Sequence, residues 1–257
     1  MSYLIICTVA LLASGLTLFS GFGLGTLLMP VFAIFFPVEV AIAQTALVHF
    51  ANNLFKVWLF SRRADWQTVL LFGLPAFLAS FAGAKVLLWL ADLAPLYTYL
   101  LNSRQFMVHP VKLVIALLMA GFSALELFPA TKQLAISRKY MPAGGLLSGF
   151  FGGLSGNQGA FRSTFLVKSG LNKEAFIGTG VVIAALVDFS RLTVYAGLLK
   201  SQEVMGNLAL IVVATLAAFT GAFLGSRLVK KVTIRTLQVL VAVMLFLIAI
   251  LLGSGII

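Results

Sequence analysis

Long apolar segments follow one another along almost the whole chain, with only short polar stretches between them. Several are about 20 residues long, the length that an α-helix needs to cross the hydrocarbon core of a membrane. None shows the sustained period-two alternation of a membrane-spanning strand. The pattern predicts apolar helical segments near 3–19, 22–36, 38–60, 67–90, 111–128, 141–154, 158–167, 174–198, 206–229 and 235–256.

The composition agrees with a membrane protein. Hydrophobic residues make up 61% of the chain, charged residues 10%, and the mean hydropathy is +1.09. These values leave too few polar groups to cover a soluble globule. We therefore expect an all-α polytopic membrane protein with essentially no soluble domain. Since no basic segment or cleavage site precedes the first hydrophobic stretch, that stretch is expected to be retained.

Charge and cysteine content restrict the possible partners. The formal net charge is +11, but the basic residues lie in short loops between apolar segments. This distribution is typical of topology signals beside anionic lipid, so no nucleic-acid partner is expected. The one cysteine, Cys7, cannot form an internal disulfide and argues against a thiolate metal site. No metal and no cofactor is predicted.

Two glycine-rich stretches interrupt the apolar pattern, at 20–25 and at 153–160, and they lie 135 positions apart. The same offset relates further polar positions, and a slightly larger one relates two Gly-small-basic stretches. We interpret this as an internal duplication. It divides the chain into a first transmembrane repeat over 1–128, a cytoplasmic linker over 129–140 and a second repeat over 141–257. The matched pairs are Ser20 with Ser155, Gly21 with Gly156, Asn53 with Asp188, Lys56 with Arg191, Phe60 with Tyr195, Gln67 with Gln202, and Gly83-Ala84-Lys85 with Gly225-Ser226-Arg227.

The distribution of basic residues favours an inverted arrangement of the two repeats. If each glycine-broken segment crosses the membrane once, thirteen loop cations divide six against seven between the two sides. If each is a re-entrant hairpin that returns to its starting side, ten of the thirteen lie together, as the positive-inside rule requires. We therefore predict one hairpin and three crossings per repeat, opposite orientations, and both termini outside. The alternative is a pair of ordinary tilted helices that contain flexible glycines.

Clustered glycines inside a membrane segment weaken the helix and leave backbone N–H groups that hydrocarbon cannot satisfy. Two half-helix N-termini meeting near the midplane would present positive dipole ends and free donors to a small oxyanion. For Gly144, Gly145, Gly221 and Gly225 close helix packing is a sufficient explanation.

Polar residues near the breaks complete the predicted site. Arg162 lies within an apolar stretch, where it either binds an anionic group or pairs with Asp188 or Glu126. Asp188 is a candidate for proton coupling, or it forms a salt bridge with Arg191 three residues later; His49 is a second candidate proton carrier or a packing residue. The predicted substrate-binding residues are Gly21, Phe22, Gly23, Gln44, Thr45, Asn52, Asn53, Gly156, Asn157, Gln158, Arg162 and Thr179, and the predicted coupling or gating residues are Asp188, Arg191, Lys56 and His49.

These features resemble the sulfite exporter TauE/SafE family of bacterial membrane transporters over nearly the whole chain. The resemblance is carried by the two glycine turns, the run from Gly21 to Pro30, the segment 173–180, and the Gly-small-basic stretches at 83–85 and 225–227. It implies a location in the bacterial cytoplasmic (inner) membrane and transport of a small sulfur-containing or carboxylate anion, such as sulfite or a sulfonate. The second turn departs from the family pattern, because Asn157 and Gln158 interrupt its glycines and Arg162 follows.

The resulting hypothesis is a secondary transporter, by preference an exporter, and not an enzyme, that works by alternating access. Its partners would be a small anion, the bilayer, and a coupling proton or sodium ion. Export of a monoanion from a cell that is negative inside is favoured by about 2.3 kcal/mol per 100 mV, so export could be uncoupled whereas uptake would require coupling. The alternatives are an anion channel, or a membrane-embedded enzyme or assembly factor. The sequence contains no HExxH motif and no cluster of metal ligands that would favour an enzyme.

Overall fold

The computed structural model describes residues 1–20, 24–127, 138–167, 169–228 and 234–256. These ranges are mostly helical, as the sequence predicts. The main helices are α1 (Ser2–Ser20), α2 (Leu24–Ala33), α3 (Val38–Phe60), α4 (Trp66–Ala91), α5 (Pro110–Leu127), α6 (Met141–Ser155), α7 (Gly159–Leu166), α8 (Lys173–Val194), α9 (Leu208–Leu228) and α10 (Ile234–Gly253). Short turns of helix lie at Ser61–Arg63, Arg138–Tyr140, Ala196–Leu199 and Gln202–Met205, and a π-helical turn, Val69–Gly73, lies within α4.

Local capping sets several of these boundaries. The side chain of Asp65 accepts a hydrogen bond from the Thr68 N–H at the start of α4, and Asn172 accepts one from Ala175 N–H at the start of α8. α6 ends where Gly156 takes a left-handed φ of +79°. This conformation is easy for glycine and costly for other residues.

α7 folds back along α6 after this break. Gly144, near the start of α6, lies against the ring of Phe165, near the end of α7. Closer to the break, Ser148 Oγ donates a hydrogen bond of 3.0 Å to the Gln158 carbonyl. The corresponding break between α1 and α2 falls at residues 21–23, outside the described ranges.

The helices pack in pairs: α1 on α9, α4 on α6, α3 on α8 and α5 on α10. Glycines allow the closest approaches. A Cβ at Gly225 would lie 2.6 Å from the Gly15 carbonyl oxygen, and one at Gly83 would overlap the Phe150 carbonyl. Gly145, Gly221 and Gly225 therefore act in close packing, as the sequence indicates. The same holds for Gly153, which lies inside α6 against the Ser80 backbone and not at the break.

A β-hairpin between α4 and α5 departs from the all-α prediction. Strand β1 (Tyr97–Leu101) pairs antiparallel with β2 (Arg104–Val108), with Tyr97 opposite Val108. Asn102 and Ser103 form the turn with φ of 49° and 62°, the sign that a type I′ hairpin turn requires. Tyr99 donates its hydroxyl to the Ser254 carbonyl at 2.7 Å, which attaches the hairpin to the end of α10.

Three helices of the described ranges are, by length and composition, able to cross a membrane: Trp66–Ala91, Lys173–Val194 and Leu208–Ser226. Shorter apolar helices cover Ser2–Leu16, Leu24–Ala33, Pro110–Ala124 and Ala242–Gly253. α3 is 23 residues long but is not among the three, since it carries a row of polar residues. Those residues form the core of the candidate site.

Candidate functional site

The start of α2 lies against the second glycine break. Gly25, in the first turn of α2, faces the break after α6, and a Cβ at Gly25 would lie 3.6 Å from the Gly156 carbonyl oxygen. The same Cβ would lie 3.6 Å from His49 Cδ2 on α3. On the other side of the second break, a Cβ at Gly156 would lie 2.8 Å from Arg191 Nη1 on α8. The start of α2, the second break, α3 and α8 therefore share one polar centre.

A buried carboxylate occupies this centre. Asp188 is fully buried, and its Oδ2 accepts a hydrogen bond from Asn53 Nδ2 at 2.7 Å and lies 2.6 Å from His49 Nδ1. Its Oδ1 accepts from Arg191 Nε at 3.0 Å and lies 2.9 Å from Arg191 Nη2. The predicted salt bridge between Asp188 and Arg191 thus forms, and it is joined by two residues of α3 from the other half of the chain. We call Asp188, Arg191, His49 and Asn53 the carboxylate cluster.

A second buried network lies one turn further along α3. With the Asn52 amide oriented to match its neighbours, its oxygen accepts from Lys56 Nζ at 3.0 Å. Its nitrogen donates to Ser14 Oγ at 3.1 Å and to the Ala218 carbonyl at 3.3 Å. Lys56 is therefore buried against a neutral acceptor and not against a carboxylate.

Several predicted site residues present buried polar atoms that have no hydrogen-bond partner. Such atoms cost free energy unless a ligand or water satisfies them. The group lies on α3, at the second break and on α7, and it consists of both amide atoms of Gln44, Asn157 and Gln158, the hydroxyl of Thr45, and Nη1 of Arg162. Arg162 reaches α8, because a Cβ at Gly180 would lie 3.6 Å from its Nε.

Thr179 has a different surrounding from these residues. It is fully buried, and its Oγ1 accepts a hydrogen bond of 2.8 Å from the Asp65 N–H. Nearby, the exposed side chains of Arg63 and Glu174 form an ion pair. Thr179 therefore joins the start of α8 to the connection between α3 and α4.

Some predictions fall outside what the structure describes. Gly21, Phe22 and Gly23 lie in the first break, most of the linker 129–140 lies within 128–137, and the side chain of Glu126 is not described. Their predicted roles stay predictions.

The buried charges do not balance. Lys56 and Arg191 are buried, and Arg162 lies within electrostatic range of both Lys56 and Asp188. Asp188 is the one buried acid among the side chains whose burial the structure describes. Three cations thus share one carboxylate in the described part of the core. Such an excess is costly in a low-dielectric interior and is relieved by an anion.

The sequence interpretation missed residues that complete this core. Tyr195 is fully buried and donates its hydroxyl to the Gly153 carbonyl at 2.5 Å. Ser14 contacts Asn52, and Ser80 on α4 contacts Ser190 on α8. A signal for Tyr195 was present, because it is the polar counterpart of Phe60 in the repeat; isolated serines carry no comparable signal. Within the described ranges, no three His, Cys, Asp or Glu side chains are placed to hold a metal ion.

Comparison with known proteins gives one match. A family model described as sulfite exporter TauE/SafE matches residues 6–252, which is nearly the whole chain. No curated protein and no solved structure gives a significant match.

Proposed function

The chain belongs to the sulfite exporter TauE/SafE family, and we propose that it exports a small organic or sulfur-containing oxyanion by alternating access around its two glycine breaks. Sulfite, sulfonates and small carboxylates are the substrate classes that this site would take. The observation that carries the proposal is the excess of positive charge in the core beside unpartnered donors, where the start of α2 lies against the second glycine break.

The donor set suits an oxyanion. The guanidinium of Arg162 carries an unpartnered Nη1, and the amides of Asn157 and Gln158 are unpartnered beside it in sequence. A guanidinium binds sulfonate and carboxylate oxygens in a planar fork, and its charge strengthens each hydrogen bond. α7 begins directly after Gln158, and its N-terminus adds the positive end of a helix dipole. Together these groups would replace the water that a small anion loses on entering the membrane.

Packing directions support inverted repeats. Under the offset of 135, α3 corresponds to α8, and these helices run antiparallel. Phe60, at the end of α3, lies against Gly178, near the start of α8, while His49 lies against Asp188 further along α8. Equivalent helices that pack antiparallel are related by a two-fold axis perpendicular to them, as in inverted repeats. The pairs α1 on α9 and α6 on α4 also exchange under this relation.

The contact between the end of α3 and the start of α8 agrees with the hairpin arrangement. The ion pair between Arg63 and Glu174 brings the end of α3 and the start of α8 to one side of the protein. The re-entrant model requires this, whereas a single crossing by each broken segment would separate them. The α6–α7 fold-back supports the same arrangement. Under the positive-inside rule, we therefore propose that both termini lie outside and that the linker lies in the cytoplasm.

Counterflow in proteoliposomes tests the proposed function. Vesicles containing the purified protein would be loaded with an unlabelled anion and diluted into the ³⁵S-labelled form of sulfite, thiosulfate, methanesulfonate or sulfoacetate, with ¹⁴C-acetate as a carboxylate. We expect a transient overshoot of label for one class of anion, and its loss in Arg162→Gln. A channel would give conductance without counterflow. If no anion gives overshoot or conductance while the protein stays folded, the proposal is wrong.

A further inference from the structure

The contact between His49 and Asp188 requires a proton. Their Nδ1 and Oδ2 atoms lie 2.6 Å apart, and both residues are buried. A bare ring nitrogen and a carboxylate oxygen both carry lone pairs and would repel each other at this distance, so a hydrogen lies between them. Asn53 Nδ2 donates a hydrogen bond to the same oxygen at 2.7 Å, which fixes the carboxylate in place; its contact of 3.1 Å with Nδ1 is not a second hydrogen bond when that nitrogen carries the hydrogen.

Arg191 links this pair to the glycine break. Its Nε donates to Asp188 Oδ1 at 3.0 Å, while Nη1 is turned toward Gly156. Arg191 Nη2 lies 2.9 Å from Asp188 Oδ1 but makes no hydrogen bond, so an oxyanion at the break could take Nη1 and Nη2 while Asp188 keeps Nε. An ionised Asp188 and a bound anion would therefore share the charge of one guanidinium, and protonation of Asp188 leaves more of that charge to the anion.

The charged surroundings favour binding of an anion together with a proton. The titratable groups that interact with the His49–Asp188 pair are Lys56 from α3, Arg162 from α7, and Arg191 and Tyr195 from α8. α6 contains no charged residue, and the charged residue of α4 that follows the π-helical turn, Lys85, is exposed. Cations outnumber carboxylates in this set. Adding one anion together with one proton leaves the net charge of the centre unchanged.

We propose that the His49–Asp188 pair is a proton-binding site coupled to anion binding at Arg191, so that one proton travels with each anion. This inference rests on the proposed function. In the coupled step, a proton from solution forms an O–H bond with an Asp188 carboxylate oxygen, which removes the negative charge beside Arg191. N–H···O bonds from Arg191 Nη1 and Nη2 to the anion form, and no covalent bond other than the new O–H changes. By linkage, the proton raises anion affinity and the anion raises proton affinity.

The test uses methanesulfonate, which has no titratable proton near neutral pH, so any proton that moves with it is bound by the protein. The intact protein in proteoliposomes would be assayed for labelled methanesulfonate flux at clamped membrane potentials of either sign, and for flux driven by a pH gradient alone. One proton per monovalent anion predicts flux that the potential does not change and that a pH gradient drives. Equilibrium binding should strengthen by up to about tenfold for each unit of pH decrease across the coupling range.

Asp188→Asn removes the titrating carboxylate and should give flux that follows the membrane potential and binding that no longer depends on pH. Asp65→Asn is the matched control. Asp65 caps α4 and does not belong to the carboxylate cluster, and asparagine is also a good N-cap residue. This variant should show the same flux and the same pH dependence of binding as the parent. If Asp188→Asn does not fold, the flux measurements on the parent still test the proton coupling. Potential-driven, pH-independent flux in the parent overturns the coupling and leaves anion transport standing. Absence of flux for methanesulfonate and for every other anion of the counterflow panel, with folded protein, overturns both.

Discussion

Asn53 Nδ2 donates a hydrogen bond to Asp188 Oδ2 over 2.7 Å, although the two residues are 135 positions apart in the chain. That separation is also the offset of the duplication that we propose from the sequence, under which the two positions are equivalent. An amide lies opposite a carboxylate there, so the centre has one buried acid beside its cations among the side chains whose burial the structure describes.

The left-handed conformation of Gly156 provides a first prediction. Gly156→Ala should cost about 1–2 kcal/mol of stability for the backbone conformation alone. It should also abolish transport, since the new Cβ would lie 2.8 Å from Arg191 Nη1. Gly170→Ala is a matched control, because Gly170 has φ +77° and a Cβ there would meet nothing within 4 Å. Thermal unfolding and counterflow should show similar stability losses in both variants but lost transport only in Gly156→Ala. Equal transport in the two would contradict the role of the break.

Lys56 is predicted to strengthen anion binding, although its burial destabilises the ligand-free protein. Lys56→Met removes a buried cation that has a neutral acceptor in place of a carboxylate, so the ligand-free protein should be as stable as the parent or more stable. Anion affinity should fall by about tenfold or more, as expected for one lost charge near the site. Lys85→Met, at an exposed position of α4, should change neither quantity much. Unchanged affinity in Lys56→Met would show that its charge does not reach the anion.

The close packing of Gly225 against Gly15 provides a third prediction. Gly225→Ala should destabilise the protein by about 1–3 kcal/mol, because its Cβ would lie 2.6 Å from the Gly15 carbonyl oxygen and α1 and α9 must separate. Gly121→Ala, which meets nothing within 4 Å in α5, should be neutral or slightly stabilising through helix propensity. Urea or thermal unfolding in detergent compares the two. A Gly225→Ala protein as stable as Gly121→Ala would mean that the α1–α9 contact is looser than described.

The N-cap of α4 predicts a pH dependence of stability. A hydrogen bond from Thr68 N–H lowers the pKa of Asp65 below its usual value. A carboxyl group with a depressed pKa in the folded state stabilises that state above the unfolded pKa, near 4, and loses this contribution as the pH falls through the folded pKa. The parent should therefore lose stability at acidic pH more steeply than Asp65→Asn. Because Asp65 is largely solvent-accessible, we expect a difference of about 1 kcal/mol or less. Identical profiles of stability against pH for the two proteins would contradict this role of the Asp65 cap.

The helices and the second break were predictable because they follow from strong local signals. Apolar segments of helical length set most boundaries to within a few residues, and the glycine cluster marked the end of α6. The offset of 135 also identified Asn53 and Asp188 as equivalent, although it could not show that they touch. That contact depends on antiparallel packing of α3 and α8, which only charge counting across loops suggested.

Other features carried no such signal. The hairpin of β1 and β2 consists of two five-residue strands, too short to interrupt the apolar pattern visibly. The acceptors of the Tyr195 and Ser14 hydroxyls are set by long-range packing, and single polar residues on apolar helices do not identify their partners. Thr179 and Gln44 occupy equivalent positions, yet Thr179 accepts from the Asp65 N–H while the Gln44 amide has no partner. The two halves therefore differ in detail where the sequence indicates symmetry.

Anion-dependent thermal stability of the purified protein tests the central claim most directly. The parent, Arg162→Gln and Arg63→Gln would be unfolded in detergent with and without sulfite, thiosulfate, methanesulfonate, sulfoacetate and acetate. A ligand at about 100 times its dissociation constant adds about 2.7 kcal/mol of apparent stability. We expect one class of anion to stabilise the parent and Arg63→Gln, whose substituted residue is exposed and pairs with Glu174, but not Arg162→Gln. Equal stabilisation of all three folded proteins, or of none, would contradict an oxyanion site at the second glycine break.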